Sequence, residues 1–344
     1  MSQGGRTLKA LAAQLGISPA TVSRALAGNT RISTVTRDRV AEAARASGYV
    51  ANRAAQSLVT GRTSGFVGLV LQDAGYGRED SYLGEFIQGL GQGLSERGID
   101  LFLSFIPDGQ SELSVIRNIV TTRRADGLVL GRTTEADSRV AWLLDQEFPF
   151  VTHGRTGADP APFDWVDTDG AAAFGQCFDL LHRLGHRRFG LVTIEEPMTF
   201  RQHRTEGLTA TISRAGDSSL MVAASPRNDT RRRREVIRDL LASPDRPTAV
   251  LCLFDGLALA VLEVAADLGL RVPRDLSVTG FDNIASAAHA RPGLTTFDSD
   301  TVVAARALAE ALVLRIATPD APPRHQLIAP RLVLRESHGP APTP

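Results

Sequence analysis

Residues Thr7 to Leu58, TLKALAAQLGISPATVSRALAGNTRISTVTRDRVAEAARASGYVANRAAQSL, constrain this chain more than any other stretch. Their apolar spacing, caps and turn residues all call for three short helices folded on one another. Leu8, Leu11, Ala12 and Leu15 recur at helical spacing behind Thr7, an N-cap residue, and Gly16 supplies a left-handed exit. The turn therefore falls at Gly16 to Ser18. Ser18 caps a second helix that starts at Pro19, where a missing N–H costs nothing, and Val22 and Leu26 form its buried face. Thr21, Ser23 and Arg24 are expected to point outward. A third helix, Thr34 to Ser47 with Val40, Ala43 and Ala44 inward, should brace the pair and stop at Gly48. This is the pattern of a helix-turn-helix unit, whose second helix presents side chains to base edges while hydroxyls and N–H groups hold phosphates.

Charge is distributed to match. The chain carries no net charge, yet residues 1–62 hold nine Lys or Arg against two acids, so the remaining residues are at −7. A basic module on an acidic body neutralises phosphates at one end only. The bland alternative, a helical bundle that merely happens to be basic, leaves the agreement of caps, turn and helix lengths unexplained.

The strings ISPATVSRAL, TRDRV, GYVANRAAQSL and GRTSGFVGLV resemble the N-terminal signature of the LacI/GalR family of bacterial transcriptional regulators. The resemblance continues through RADGLVLG, LGHRRFGLV, RTEGL, VPRDLSVTGFDN, PGLTTFDSD and PRLVLRES, in order, through almost the whole chain. It implies a small all-α headpiece at 1–51 and a hinge helix and linker at 52–63. An α/β effector-binding and dimerisation domain like a periplasmic binding protein follows at 64–337, with two lobes (64–168 with 298–328, and 169–297 with 329–337), then a flexible tail at 338–344. The residues that would meet DNA are Thr7, Pro19, Ala20, Thr21, Ser23, Arg24, Asn29 and Arg31 in the head, and Asn52, Arg53, Ala55 and Leu58 in the hinge. Pro19 and Ala20 cannot hydrogen-bond a base, which leaves Arg24 as the guanine reader and Ala20 as a thymine-methyl contact.

A hinge helix of one or two turns is too short to be stable alone, so its order must come from a partner. In the family two such helices pair across a dimer and push a leucine between base pairs of the minor groove, and Leu58 matches that wedge. A plain linker with Leu58 packed on the core is the alternative. Ala51 and Ala27 replace a proline and an asparagine usual in the family, which loosens the hinge entry and removes one contact.

Beyond the hinge, apolar runs at Phe66–Leu71, Leu101–Ile106, Gly127–Leu130, Arg188–Val192, Ala249–Leu253 and Ser277–Gly280 alternate with helical stretches. That alternation predicts parallel sheets covered by helices on both faces, with a ligand at the carboxyl ends of the strands. Residues at such places that match the family's ligand positions are Asp80, Ser81, Tyr82, His153, Arg155, Arg204, Phe254 and Asp282. A guanidinium fork at Arg204 suits a sugar hydroxyl or carboxylate, and Asp282 suits hydroxyl donors. Gly154 stands where an aspartate is common, and Phe254 where an asparagine is. Phe254 either stacks on a sugar ring or is an ordinary core residue. PFVTHGR resembles the branch of the family that answers to α-glucosides.

Other signals are set aside. His182 and His186 have the i, i+4 spacing of a metal pair, but Gly185 interrupts the helix, and no metal or cofactor is expected. Arg231 to Arg234 reads as a solvated helix face. GLGQGL lies inside a helix and lacks dinucleotide-site spacing, and no P-loop, HExxH or GxSxG is present. Cys177 and Cys252 read as small core residues. With no membrane-length apolar run and no basic-then-apolar start, a cytoplasmic location is expected. The expected partners are a pseudo-palindromic duplex operator, a small-molecule effector of the sugar class, and a second copy of the chain. The function these readings imply is a repressor of carbohydrate uptake or catabolism, not an enzyme. A nucleobase- or sugar-phosphate-responsive regulator of the same architecture is the alternative within the class. A sugar receptor without DNA function and a hydrolase or kinase acting on the ligand are the rivals outside it.

Overall fold

The computed structural model describes residues 7–26, 29–49, 64–71, 81–157 and 160–343. The chain divides into two compact units, Met1–Phe66 with Thr122–Asp126, and the rest.

In the first unit, α1 (Leu8–Leu15), α2 (Pro19–Leu26) and α3 (Thr34–Ser47) enclose a small core of Leu11, Ala12, Leu15, Val22, Ala25, Val40 and Ala44. Thr7 accepts a hydrogen bond from the Ala10 N–H, Ser18 from that of Thr21 and Ser33 from that of Thr36. Gly16 and Gly48 end α1 and α3 in the left-handed region, with φ of 66° and 62°. Caps and stops thus fall where the residue types call for them. Ser23 departs from expectation: it is 5% exposed. Helix α2 packs on both α1 and α3, so the sector it buries is wider than one apolar stripe and takes in this small side chain. Further along in the same unit, the Asp126 carboxylate accepts the N–H groups of Ser64 at 2.5 Å and Gly65 at 2.7 Å.

The second unit has two parallel sheets. One is built from β1 (Phe66–Leu71), β2 (Asp100–Phe105), β3 (Gly127–Leu130), β4 (Phe150–His153), β5 (Asp164–Thr168) and β11 (His325–Ile328), in the order β11-β5-β4-β3-β1-β2. The other, from β6 (Arg188–Ile194), β7 (Ser219–Ser225), β8 (Ala249–Cys252) and β9 (Ser277–Thr279), is ordered β7-β6-β8-β9. In register, Val67 faces Gly127, Val151 faces Asp164, and Leu191 faces both Val222 and Leu251. The central strand β1 is buried on both faces, as the unbroken apolar run FVGLVL requires. A short antiparallel ribbon pairs β10 (Thr296–Asp298) with β12 (Arg331–Val333). The chain passes between the two layers at 168–170, 298–301 and 328–331.

Helices α4 (Ser81–Ser95), α5 (Glu112–Thr121), α6 (Ser138–Asp145) and α12 (Thr301–Ala317) belong to the first layer. The second has α7 (Gly170–Arg183), α8 (Thr199–Ala215), α9 (Thr230–Ala242), α10 (Asp255–Asp267) and the short α11 (Ala285–His289). The glycines of GLGQGL lie within α4 and serve a helix contact. A Cβ on Gly89 would stand 2.7 Å from the Ala305 Cβ, and one on Gly93 2.8 Å from that of Ala309, both on α12.

Cys177 and Cys252 are buried, free thiols in the second layer, and burial pushes the Cys177 thiol up to about 12. His182 pairs with Asp217 at 2.8 Å, while His186, fully buried, joins Thr248 at 2.9 Å and the Gly339 carbonyl at 3.0 Å. The tail expected to be flexible is therefore held: besides the His186 bond, the Ala341 N–H donates to the Leu184 carbonyl. A buried imidazole must find partners, and the tail supplies one.

Candidate functional site

Thr7, Pro19, Ala20, Arg24, Asn29 and Arg31 are all exposed on the helical unit, and Thr21 is half-buried with its hydroxyl 2.9 Å from that of Ser18. Asn29 accepts the Arg31 N–H at 2.9 Å, shaping the turn before α3. Ser23 alone of the described head candidates is turned inward. Arg39 reaches back to the Leu15 carbonyl at 3.1 Å and closes the end of α1. The hinge candidates Asn52, Arg53, Ala55 and Leu58, with Ala27 and Ala51, lie outside the described residues, as does Asp80 of the effector set.

In the second unit a cleft of about 620 Å³ opens at the carboxyl ends of both sheets, of the size that takes a small ligand. Tyr82, His153, Arg204, Phe254 and Asp282 line it together, although they come from five separate segments. Ser81 opens α4, one residue before Tyr82.

On the first layer, the Tyr82 hydroxyl meets His153 Nδ1 at 3.1 Å, and the His153 ring stacks on Phe86 at 5.2 Å. Burial lowers the pKa of His153, so a neutral imidazole faces the cleft. Arg155 is not in the lining. Its Nε donates to Asp167 Oδ2 at 2.9 Å, and Asp167 faces the cleft in its place. The backbone turns after His153 at Gly154, with φ of 111°, and the Arg155 guanidinium also meets His203 Nδ1 at 3.3 Å and lies over the Trp165 ring.

On the second layer, Arg204 projects from α8 and is 8% exposed. Its guanidinium lies 3.6 Å from the Phe281 ring centre and 5.2 Å from that of Phe200, and its Nη1 donates to the Leu253 carbonyl. Burial lowers its pKa, and Asp282, Asp167 and Asp255 oppose that shift. An arginine stays charged regardless, so the cleft contains a desolvated cation beside carboxylates. A Cβ on Gly170 would fall 2.6 Å from the Arg204 Cγ, so α7 must begin with glycine for this side chain to lie where it does. Phe254 is partly buried against the core and also lines the cleft, with the Arg227 guanidinium 5.2 Å from its ring. One side chain thus combines a core contact with a face on the cleft.

Other lining residues escaped the sequence reading. Gly131 to Thr133 follow β3, and Asp167 and Thr168 end β5, where the strand-end rule would have found them. Arg227, Asn228 and Arg233 follow β7, a strand not singled out beforehand. Arg233 belongs to the arginine run expected to be solvated. Arg231 and Arg234 do form exposed ion pairs, with Glu235 and Glu263, but one turn of α9 aims Arg233 into the cleft, where it donates to the Arg227 carbonyl. Among the described residues no group of His, Cys, Asp and Glu is assembled to hold a metal, and no helix is long and apolar enough to cross a membrane.

Residues 7–52 match the family described as "Bacterial regulatory proteins, lacI family", and residues 178–338 match "Periplasmic binding protein-like domain". The HTH-type transcriptional regulator AglR of Rhizobium meliloti (strain 1021) is 34% identical over 342 residues, covering 97% of this chain and 95% of that protein. The HTH-type transcriptional regulator CelR of Thermobifida fusca is 30% identical, over 96% of this chain and 98% of the relative. Among solved structures, the "transcriptional regulator CelR-cellobiose complex" has a TM-score of 0.73 at 27% identity, covering 96% of this chain and 99% of that one. The lac repressor dimer bound to operator and an anti-inducer has a TM-score of 0.81 at 20% identity, over 96% and 98%, and shares the fold.

Proposed function

The chain belongs to the lacI family of bacterial regulatory proteins and is a ligand-responsive, DNA-binding transcriptional regulator; from that premise we propose that it is a repressor released by a carbohydrate, with an α-glucoside as the first candidate. The observation that carries the effector reading is the cleft itself. A buried arginine, the Asp282 carboxylate and the aromatic Phe254 converge there, a set that recognises ring hydroxyls and an apolar sugar face together. The structure of a relative holding cellobiose supports the carbohydrate class.

The proposed effector residues are Tyr82, His153, Arg204, Phe254 and Asp282, with Arg155 acting through Asp167, and with Asp80 and Ser81 added from the sequence. The proposed DNA residues are Thr7, Pro19, Ala20, Thr21, Arg24, Asn29 and Arg31, with Asn52, Arg53, Ala55 and the Leu58 wedge in the hinge. A boundary near 51 between head and hinge, and near 63 between hinge and body, goes with this assignment.

The working form is a homodimer. Leu103 and Phe105 on the edge strand β2, and Val222 on the edge strand β7, leave large apolar side chains in water, 57% and 56% exposed for Phe105 and Val222. Apolar side chains exposed on sheet-edge strands call for a partner, and a second copy supplies one. The location is cytoplasmic, and the cleft senses its ligand without turning it over.

Control follows from linkage. If the sugar binds the DNA-incompetent arrangement of the body more tightly, it releases the operator by that difference in affinity and by no more. Arg132, Arg227 and Arg233 along the cleft favour one second reading, a phosphorylated sugar. Selection of genomic fragments by the purified protein at fixed salt, followed by titration with maltose, trehalose, cellobiose and glucose 6-phosphate, tests both readings. Release by a neutral disaccharide supports the first, release by the phosphate ester alone supports the second, and turnover of any of these compounds would overturn the sensor assignment.

A further inference from the structure

We propose that Asp255 is the positioning residue of the effector cleft: its buried carboxylate, by accepting the Ile284 N–H and the Thr296 hydroxyl, holds the left-handed turn from which Asp282 faces the ligand. This rests on the reading that the cleft binds the effector. Asp282 and Asn283 have φ of 102° and 52°, backbone that L side chains rarely adopt, so the surrounding structure must impose it. Asp255, the first residue of α10 and wholly buried, touches both sides of that turn. Its Oδ2 accepts the Ile284 N–H at 2.9 Å, its Oδ1 accepts the Thr296 hydroxyl at 2.5 Å, and its own N–H donates to the Phe281 carbonyl at 2.8 Å.

The rest of the turn is braced around it. The Asp282 N–H donates to the Phe297 carbonyl at 2.8 Å, and the Asn283 amide accepts from Arg335 at 2.7 Å and donates to Asp298 at 3.3 Å. A Cβ on Gly280 would lie 2.1 Å from Asp255 Oδ1, so the glycine of GFDN is what admits the carboxylate. Both Asp255 oxygens are engaged by the protein, which suits a brace better than a ligand contact. The charged and titratable groups around it are Asp282, Arg335, Arg204 and Cys252. Burial first, and then the Asp282 charge, push its pKa up to about 7.

Asn at this position can keep both bonds without the charge: its Oδ1 accepts the Ile284 N–H and its Nδ2 donates to the Thr296 oxygen. Alanine keeps neither. The test is calorimetric titration of maltose and of cellobiose into the full-length wild type, Asp255→Asn, Asp255→Ala, Asp282→Ala and the Asp255→Ala/Asp282→Ala double variant, together with crystal structures of the ligand-free proteins. Asp255→Ala should weaken binding of the sugar by about 10- to 100-fold, the same as Asp282→Ala, with no further loss in the double variant. Asp255→Asn should stay within about threefold of the wild type, since its hydrogen bonds are kept.

An Asn variant as weak as the Ala variant would make the Asp255 charge a direct ligand group, and additive losses would reduce Asp255 to a core residue; either overturns the proposal. Should the wild type bind neither sugar, the carbohydrate reading fails by itself and the ligand-free structures decide. Asp282 leaving the left-handed region in the Ala variant but not in the Asn variant supports the brace, and an unmoved Asp282 in the Ala variant overturns it. If Asp255→Ala does not fold, Thr296→Val removes one of the two bonds and should give an intermediate loss, whereas an unchanged affinity would count against the brace.

Discussion

Thr133 Oγ1 and Thr199 Oγ1 meet at 2.7 Å, joining the loop after β3 of the first layer to the first residue of α8 in the second. The Thr199 N–H also donates to the Thr133 carbonyl at 2.9 Å, and Thr134 bridges to Met198 beside them. Gly154 makes room for this seam: its Cβ would fall 2.6 Å from Thr133 Oγ1, which gives a physical reason for glycine where the family commonly has aspartate. Arg139 supports it from behind, donating to the carbonyls of Gly131 at 3.0 Å and Arg132 at 3.1 Å while paired with Asp137 and Glu112. Direct hydrogen bonds across a ligand cleft stabilise one arrangement of its two walls over any other.

Thr199→Val keeps volume and removes the side-chain bond. A coupling of about 1 kcal/mol between Thr133→Val and Thr199→Val is expected in a double-variant cycle on effector affinity, the size of one buried hydrogen bond. Purely additive effects would show that the seam does not report on the liganded state.

Gly170→Ala should displace Arg204 without replacing any residue that meets the ligand. Effector affinity is expected to fall by about tenfold or more, because the buried charge-assisted contact is worth more than a neutral one. Titration of the disaccharides into the variant measures it, and wild-type affinity would mean that the Arg204 stem shifts at no cost.

Arg24→Ala should cost about 1–3 kcal/mol of specific operator binding and relax preference at one base position. Ser23 gives the contrast. Ser23→Ala should leave the preferred sequence unchanged, because the side chain faces the helical core. Binding-site selection with both variants separates the two roles, and a changed sequence preference in Ser23→Ala would restore Ser23 as a base reader.

The pH dependence of folding should carry the mark of Asp255. An unfolded chain releases this proton near 3.8, and the folded protein keeps it until about 7. The folded state therefore binds more protons in between, and this group's contribution to stability, full below about pH 4, is lost as pH rises through about 7. Asp255→Asn has no such loss. Urea unfolding at pH 5 and pH 8 should show the wild type losing stability relative to the variant at the higher pH, and the reverse sign would contradict the raised pKa.

Much of this protein is local physics that its sequence determines. Thr7, Ser18 and Ser33 cap, Gly16 and Gly48 terminate, and the runs from Phe66 to Ser277 alternate as buried parallel strands do, because caps, left-handed exits and apolar periods depend on residues a few positions apart. The tertiary structure decided what depends on neighbours distant in the chain. Ser23 became buried because α2 has helices on both sides. Arg233 turned inward out of a run that looks uniformly solvated, Arg155 paired with Asp167 instead of lining the cleft, and the tail was caught by His186. The cleft followed the strand-end rule, but which side chains fill it, and the brace that Asp255 gives to Asp282, arise where segments tens of residues apart are packed together. No period or cap encodes that juxtaposition, since its energy exists only once the layers have met.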